Sequence, residues 1–340
     1  MPAERGSSGG GRSDEVAPDA AWSRSITRRV ADRELDMLQL ARALATASQQ
    51  GRHRSTARGG SAEFYDFRAY TPGDPTRLID WRLLGRTDRA YLRRYRQESQ
   101  VNLVLVVDAS ESMRFAGFDA SAGTRRGRSK LRRACELAAA LAYLAVKGGD
   151  RVGLVMAGCD SAALAPASGW PAMHRIVCRL DALLEASRAS ETRASVGATE
   201  NPLEAGLRSA ESVAPRSGIV VAFSDALDDS AAILSAFSRL RFAGGGSFAA
   251  AHAGRRDVAL VQVLADDEVG WTASGAATLT DPESGLRIET DLQEVAASYR
   301  EAIGLHIAAV RRGLVAAGGR HVLATLSRDP IDVLRSLLGS

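Results

Sequence analysis

A chain of 340 residues, 45% hydrophobic and 25% charged, carries enough apolar material for one large domain or two smaller ones, which excludes collagenous, disulfide-stapled and wholly disordered classes. The 44 basic and 40 acidic residues leave a net charge of only +4, spread along the sequence, which argues against a surface built for nucleic acid. Cys135, Cys159 and Cys178 show no zinc-ligand spacing and are expected to be small core residues in a reducing compartment; no apolar run reaches membrane-span length and the polar opening has no signal-peptide core, so the expected location is cytoplasmic.

Residues 1–20 are rich in Gly, Ser and charge and read as a flexible tail. Over 21–60, Ile26, Val30, Leu35, Leu38 and Leu44 recur at helical spacing and are followed by a basic linker. Residues 61–100 form a small strand-rich unit: AEFYDFRAY and RAYLRRYRQ are strand-like, and Pro72-Gly73 occupy the centre of a turn between them. From 101 to 340 the texture is that of an α/β domain. VNLVLVV, RVGLVMAG, GIVVAFS, DVALVQVL and HVLATL read as buried strands. Helices are expected from Ser129 as N-cap to Gly148-Gly149, over about 171–186, over 202–213 with Asn201 as N-cap, over 229–241, over 292–317 and over 330–338. Alternation of this kind implies a mainly parallel, doubly wound sheet, because parallel neighbours need long crossovers.

Open parallel sheets bind ligands at the carboxyl ends of their strands. Three places there are rich in oxygen donors. The first strand of the domain runs into Asp108-Ala109-Ser110-Glu111-Ser112, Gly197-Ala198-Thr199 precedes the helix at Pro202, and GIVVAFS ends in Ser224-Asp225. Hard oxygen donors without His or Cys suit Mg²⁺ or Mn²⁺ and match Zn²⁺ poorly. With the hydroxyls of Ser110, Ser112 and Thr199 on the ion, and Asp108 and Asp225 acting largely through water, the ion stays electrophilic and can accept a partner's carboxylate. The second loop also offers Thr192 and Ser195, and Asp108 and the serines are equally able to cap local turns.

This pattern resembles the metal-ion-dependent adhesion site of von Willebrand factor A domains, with Asp108, Ser110 and Ser112 as the first loop, Thr199 as the second and Asp225 as the third. The preceding segment, with Arg68, Tyr70, Pro72, Gly73 and Asp74, then Ile79, Asp80 and Trp81, resembles domain-of-unknown-function family 58 over about residues 60–340. That resemblance implies a non-enzymatic, Mg²⁺- or Mn²⁺-dependent adaptor to a MoxR-type AAA+ ATPase or its client, with a sheet of von Willebrand factor A type behind a small N-terminal helical and strand-containing unit. In that unit Pro72-Gly73 is expected to set a turn, Ile79 and Trp81 to bury one face, and Asp80 to pair with Arg82 or Arg86, while Arg93, Arg94 and Arg96 form either a solvated strand face or a partner patch.

Two alternatives are from other classes. A haloacid-dehalogenase-like phosphatase also places an aspartate after the first strand, but its acid/base position is occupied here by Ser110. Nucleic-acid binding through the arginine-rich front end lacks a reader motif. No phosphate-binding loop, nucleophile elbow or zinc-protease helix is present, and the five dispersed histidines are expected to be surface or satisfied core residues.

Overall fold

The computed structural model describes residues 41, 42, 45, 63–71, 76, 79–96, 100–117, 129–159, 161–189, 201–242, 255–271, 275–280 and 286–339. The expected tail, most of the 21–60 segment, the turn residues Pro72, Gly73 and Asp74, the side chains of Arg68, Arg93, Arg94 and Arg96, and Thr199 lie outside the described residues. Ala41 and Ala45, one helical turn apart, are helical and fully buried.

The front unit pairs β1 (Glu63–Ala69) with β2 (Tyr91–Arg96) antiparallel, with the short helix α1 (Trp81–Thr87) between them. Asp80 is the N-cap of α1, accepting from the backbone N–H groups of Arg82 and Leu83 at 3.0 and 3.1 Å. Its carboxylate thus fixes the helix start. Trp81 does not bury a face: it is 63% exposed, because the first helical position after this cap points to solvent.

The main sheet has six strands: β3 (Asn102–Asp108), β4 (Arg151–Ala157), β5 (Leu164–Ser168), β6 (Ile219–Ser224), β7 (Asp257–Leu264) and a last strand β10 (Arg320–Thr325), in the order β10-β7-β6-β3-β4-β5. All neighbours are parallel except β4 and β5. The edge strand β5 carries no apolar run and contains Pro166, so periodicity did not announce it. A separate exposed hairpin, β8 (Ala276–Thr280) with β9 (Arg287–Asp291), was likewise not among the expected strands.

Side-chain alternation along the strands feeds two apolar layers. Leu103, Leu105 and Val107 face α2 (Lys130–Lys147), α3 (Trp170–Ala189) and α8 (Pro330–Leu338), and Ala41 and Ala45 join this layer. Val104 and Val106 face α4 (Pro202–Val213), α5 (Ser230–Phe242) and α7 (Leu292–Ala316). The mainly parallel α/β sheet covered by helices on both faces is thus present. Gly206 allows α4 its close approach: a Cβ there would lie 2.5 Å from Ala157 Cβ and 3.2 Å from Val106. Arg256, buried, ties the ends of α4 and α5 together by donating to the carbonyls of Ala214 at 2.8 Å and Leu240 at 3.0 Å.

Of the cysteines only Cys135 is a core residue; burial pushes its thiol up out of the reactive range. Cys159 and Cys178 are exposed, contrary to expectation, since one follows the turn at Gly158 and the other sits on the outer side of α3.

Candidate functional site

The carboxyl ends of β3 and β6 are adjacent because these strands pair in register from Leu103 with Ile219 to Val107 with Phe223. Where their apolar runs stop, the first polar residues meet. Asp108 is 3% exposed, and its Oδ1 accepts from the Ser110 N–H at 3.0 Å while Oδ2 accepts from the Ser224 hydroxyl at 2.5 Å. The hydroxyls of Ser110 and Ser112 lie 3.1 Å apart. Ser112 belongs to a 3-10 turn over Glu111–Arg114, anchored by the fully buried Met113.

Asp225 follows β6 and is 3% exposed. Its loop is held from several directions. Ser224 Oγ also accepts from the Ala226 N–H at 3.0 Å, and Ala226 itself adopts a left-handed φ of 49°, a conformation that needs such support. The side chain of Gln262, fully buried on β7, donates to the Asp225 carbonyl at 2.9 Å, and His321 on β10 donates to Gln262 at 3.0 Å. His306 on α7 donates to the Ala226 carbonyl at 2.6 Å. Two of the five histidines are therefore satisfied structural residues.

The structure adds a group that local pattern did not reveal. Lys130, at the first position of α2 and fully buried, donates to Asp225 Oδ2 at 2.8 Å and to Glu268 Oε1 at 2.6 Å. Glu268 lies in the short helix α6 (Asp266–Gly270) just beyond β7, where its Oε2 accepts from the Ala265 N–H at 2.7 Å. Lys130 and Lys147 are the only lysines in an otherwise arginine-based chain, which is the one sequence signal that could have marked Lys130. A compact ammonium with three donors can span two carboxylates in a space that a planar guanidinium would not fit.

The electrostatics are dominated by burial. Desolvation first, and repulsion by Asp225 second, push Asp108 from 3.8 up to about 6. Burial raises Glu268 against the pull of Lys130. Burial alone would lower Lys130, but Asp225 and Glu268 outweigh it and hold the ammonium above its ordinary value. Burial and then Asp225 raise Asp228 further along the loop, and burial with Glu268 and Asp225 pushes Tyr299 up to about 12. Asp225 and Glu268 thus share one buried ammonium, while Asp108 accepts from a backbone N–H and the Ser224 hydroxyl.

Four of the expected residues, Asp108, Ser110, Ser112 and Asp225, lie on these two neighbouring strand ends, while Thr199 lies outside the described residues. Among the described residues no group of three or more His, Cys, Asp or Glu side chains is placed to hold a metal ion. The expected donor set is of a different kind, since it draws on hydroxyls.

These features define an α/β domain with a buried, charge-rich polar centre at the carboxyl edge of a mostly parallel sheet. The chain belongs to the family described as Protein of unknown function DUF58, whose profile matches residues 66–309. It is 26% identical over 290 residues to the uncharacterized proteins Mb1516 of Mycobacterium bovis and Rv1480 of Mycobacterium tuberculosis, covering 84% of this chain and 81% of each relative. The crystal structure of the conserved hypothetical protein BatB from Bacteroides thetaiotaomicron aligns with a TM-score of 0.37 and 16% identity, over 70% of this chain and 97% of that one. Among the described residues, no helix is long and apolar enough to cross a membrane.

Proposed function

We propose that residues 101–340 form a domain of von Willebrand factor A type whose strand-end centre takes Mg²⁺ or Mn²⁺ and uses it to dock an acidic side chain of a partner protein. The observation that carries this reading is the surplus of buried negative charge: Asp225 and Glu268 share Lys130, while Asp108, raised by burial and by Asp225, accepts from the Ser110 N–H and the Ser224 hydroxyl beside the paired hydroxyls of Ser110 and Ser112. A buried carboxyl without a full countercharge is unfavourable, and a hard divalent cation is the natural complement to such a set. Ser110 and Ser112, together with Thr199, would hold the ion, and Asp108 and Asp225 would balance its charge. Bound there, the ion supplies a Lewis-acidic position for an incoming carboxylate.

The front unit and the domain together are proposed to act as an adaptor for a MoxR-type AAA+ ATPase or its client, without catalysis of their own. A phosphatase would need Asp108 free to attack, whereas both of its oxygens accept hydrogen bonds and the acid/base position is Ser110. Thermal melts of the full chain in Mg²⁺, Mn²⁺ and EDTA test the metal. A cation-dependent rise that disappears in the Ser110→Ala/Ser112→Ala variant supports it, and identical melting in all three media refutes it. Capture of a MoxR-type ATPase in Mg²⁺ and its release by EDTA tests the partner; turnover of phosphomonoesters would favour the phosphatase instead.

A further inference from the structure

The Ile79-Asp80-Trp81 element takes no part in the strand-end centre, and its three residues behave differently. Ile79 bridges to Leu92, and Asp80 is consumed in capping α1, so both are explained by the local fold. Trp81 is not. At 63% exposure it is the most exposed large apolar side chain among the described residues, although burial of the indole is what tryptophan offers a fold. One turn on, at the same face, stands Gly85. Nothing lies within 4 Å of where its Cβ would be, so no packing contact requires a glycine in this helix. Its effect is to leave the ground beside the indole bare.

Arg82, Arg86 and Arg89 follow at spacings of four and three along the same segment, all exposed. None forms an ion pair with a described carboxylate, and Asp88 is the one exposed acid among them. Arg82 and Arg86 are one turn apart, about 6 Å by helical rise. We infer that the exposed face of α1, with Arg89 just past its end, docks an acidic segment of a partner protein, its carboxylates on Arg82, Arg86 and Arg89 and an apolar side chain laid on the Trp81 indole across Gly85. Bidentate guanidinium–carboxylate contacts and an aromatic anchor are the two contributions that dominate small interfaces. Nucleic acid fits less well, since duplex binding commonly rests on roughly 6–10 phosphate contacts and three guanidiniums, two on a seven-residue helix and one just past it, fall short.

This surface is independent of the metal reading, and the experiment is arranged to keep them apart. A fluorescein-labelled peptide of repeated Glu-Glu-Leu is titrated with the full chain in EDTA and followed by anisotropy. Saturable binding is expected, weakened about tenfold or more by Trp81→Ala and by Arg82→Glu/Arg86→Glu. Gly85→Leu is expected to weaken binding to a similar degree while leaving Tm unchanged or raised, because it covers the indole with a better helix former. Absence of saturable binding, equal affinity across the variants, or tighter binding to a single-stranded DNA oligonucleotide lost in the same variants would overturn the proposal.

Discussion

Asp108→Asn removes a negative charge from the strand-end centre with almost no change of shape. Burial and Asp225 set the carboxyl at about 6 in the folded chain against 3.8 ordinarily. A carboxyl that holds its proton more tightly when folded opposes folding once ionised. The penalty is absent below about 3.8, grows as pH rises, and is complete above about 6. The difference between the two values converts to roughly 3 kcal/mol at neutral pH. The amide oxygen can still accept from the Ser110 N–H, and the amide N–H can meet the Ser224 hydroxyl with that bond reversed, at some loss of geometry. A net stabilisation of about 2 kcal/mol is therefore expected at neutral pH, corresponding to a rise in Tm of about 4–8 °C. Urea unfolding of both proteins in EDTA, near pH 7.5 and near pH 4, reads it directly. The gain should be present at the first pH and nearly gone at the second. In Mg²⁺ the order should narrow or reverse, since only the parent chain gains from the cation. A variant no more stable than the parent at neutral pH, or equally more stable at both, would refute the electrostatic reasoning.

Lys130→Met strands Asp225 and Glu268 without their shared ammonium, and a loss of about 3–5 kcal/mol is expected at neutral pH, partly recovered in acid as Glu268, already raised by burial, takes up its proton. Denaturant melts at two pH values check this; Lys130→Arg should not restore stability. Burial, and secondly Arg311, lower His321 from 6.5 to about 4, so the folded chain loses stability as pH falls between those values, by roughly 3 kcal/mol at most. His321→Phe should flatten that part of the stability curve, and an unchanged slope would count against it. Ser224→Ala removes the hydroxyl that lowers Asp108, so the carbon-13 titration midpoint of the Asp108 carboxyl should move above about 6. An unmoved midpoint would show that the hydroxyl contributes nothing.

The sheet was legible because its central strands are buried on both faces and therefore spell unbroken apolar runs, and because Ser129, Asn201 and the prolines at 202 and 330 mark helix starts chemically. What was illegible is half-exposed or irregular: β5 with its proline, the β8–β9 hairpin with Leu286 and Ile288 in solvent, and the outward side of α3 that carries Cys178. Asp108, Ser110, Ser112 and Asp225 could be named from order alone, since each follows a strand that ends at the same edge. Lys130 could not. Its partners stand 95 and 138 residues further on, and no local window connects a helix start to two later strand ends. Trp81 misled for the opposite reason: apolar identity was read as burial, but the N-cap at Asp80 fixes which way the next residue points.

The buried lysine also limits what the centre can be. An ammonium that only neutralised Asp225 would make a closed ion pair with little reason to sit next to a second aspartate and two hydroxyls. Here Lys130 divides its donors between Asp225 and Glu268, while Asp108 depends on neutral donors, a backbone N–H and the Ser224 hydroxyl. Neutral donors offset desolvation only in part, which is why Asp108 remains raised. Ser224 then links the two halves, since the hydroxyl that serves Asp108 also fixes the Ala226 N–H and with it the left-handed turn that carries Asp225. Any cation drawn to Asp108 must therefore act on the Asp225 loop, and through Lys130 on α6, by way of contacts already in place.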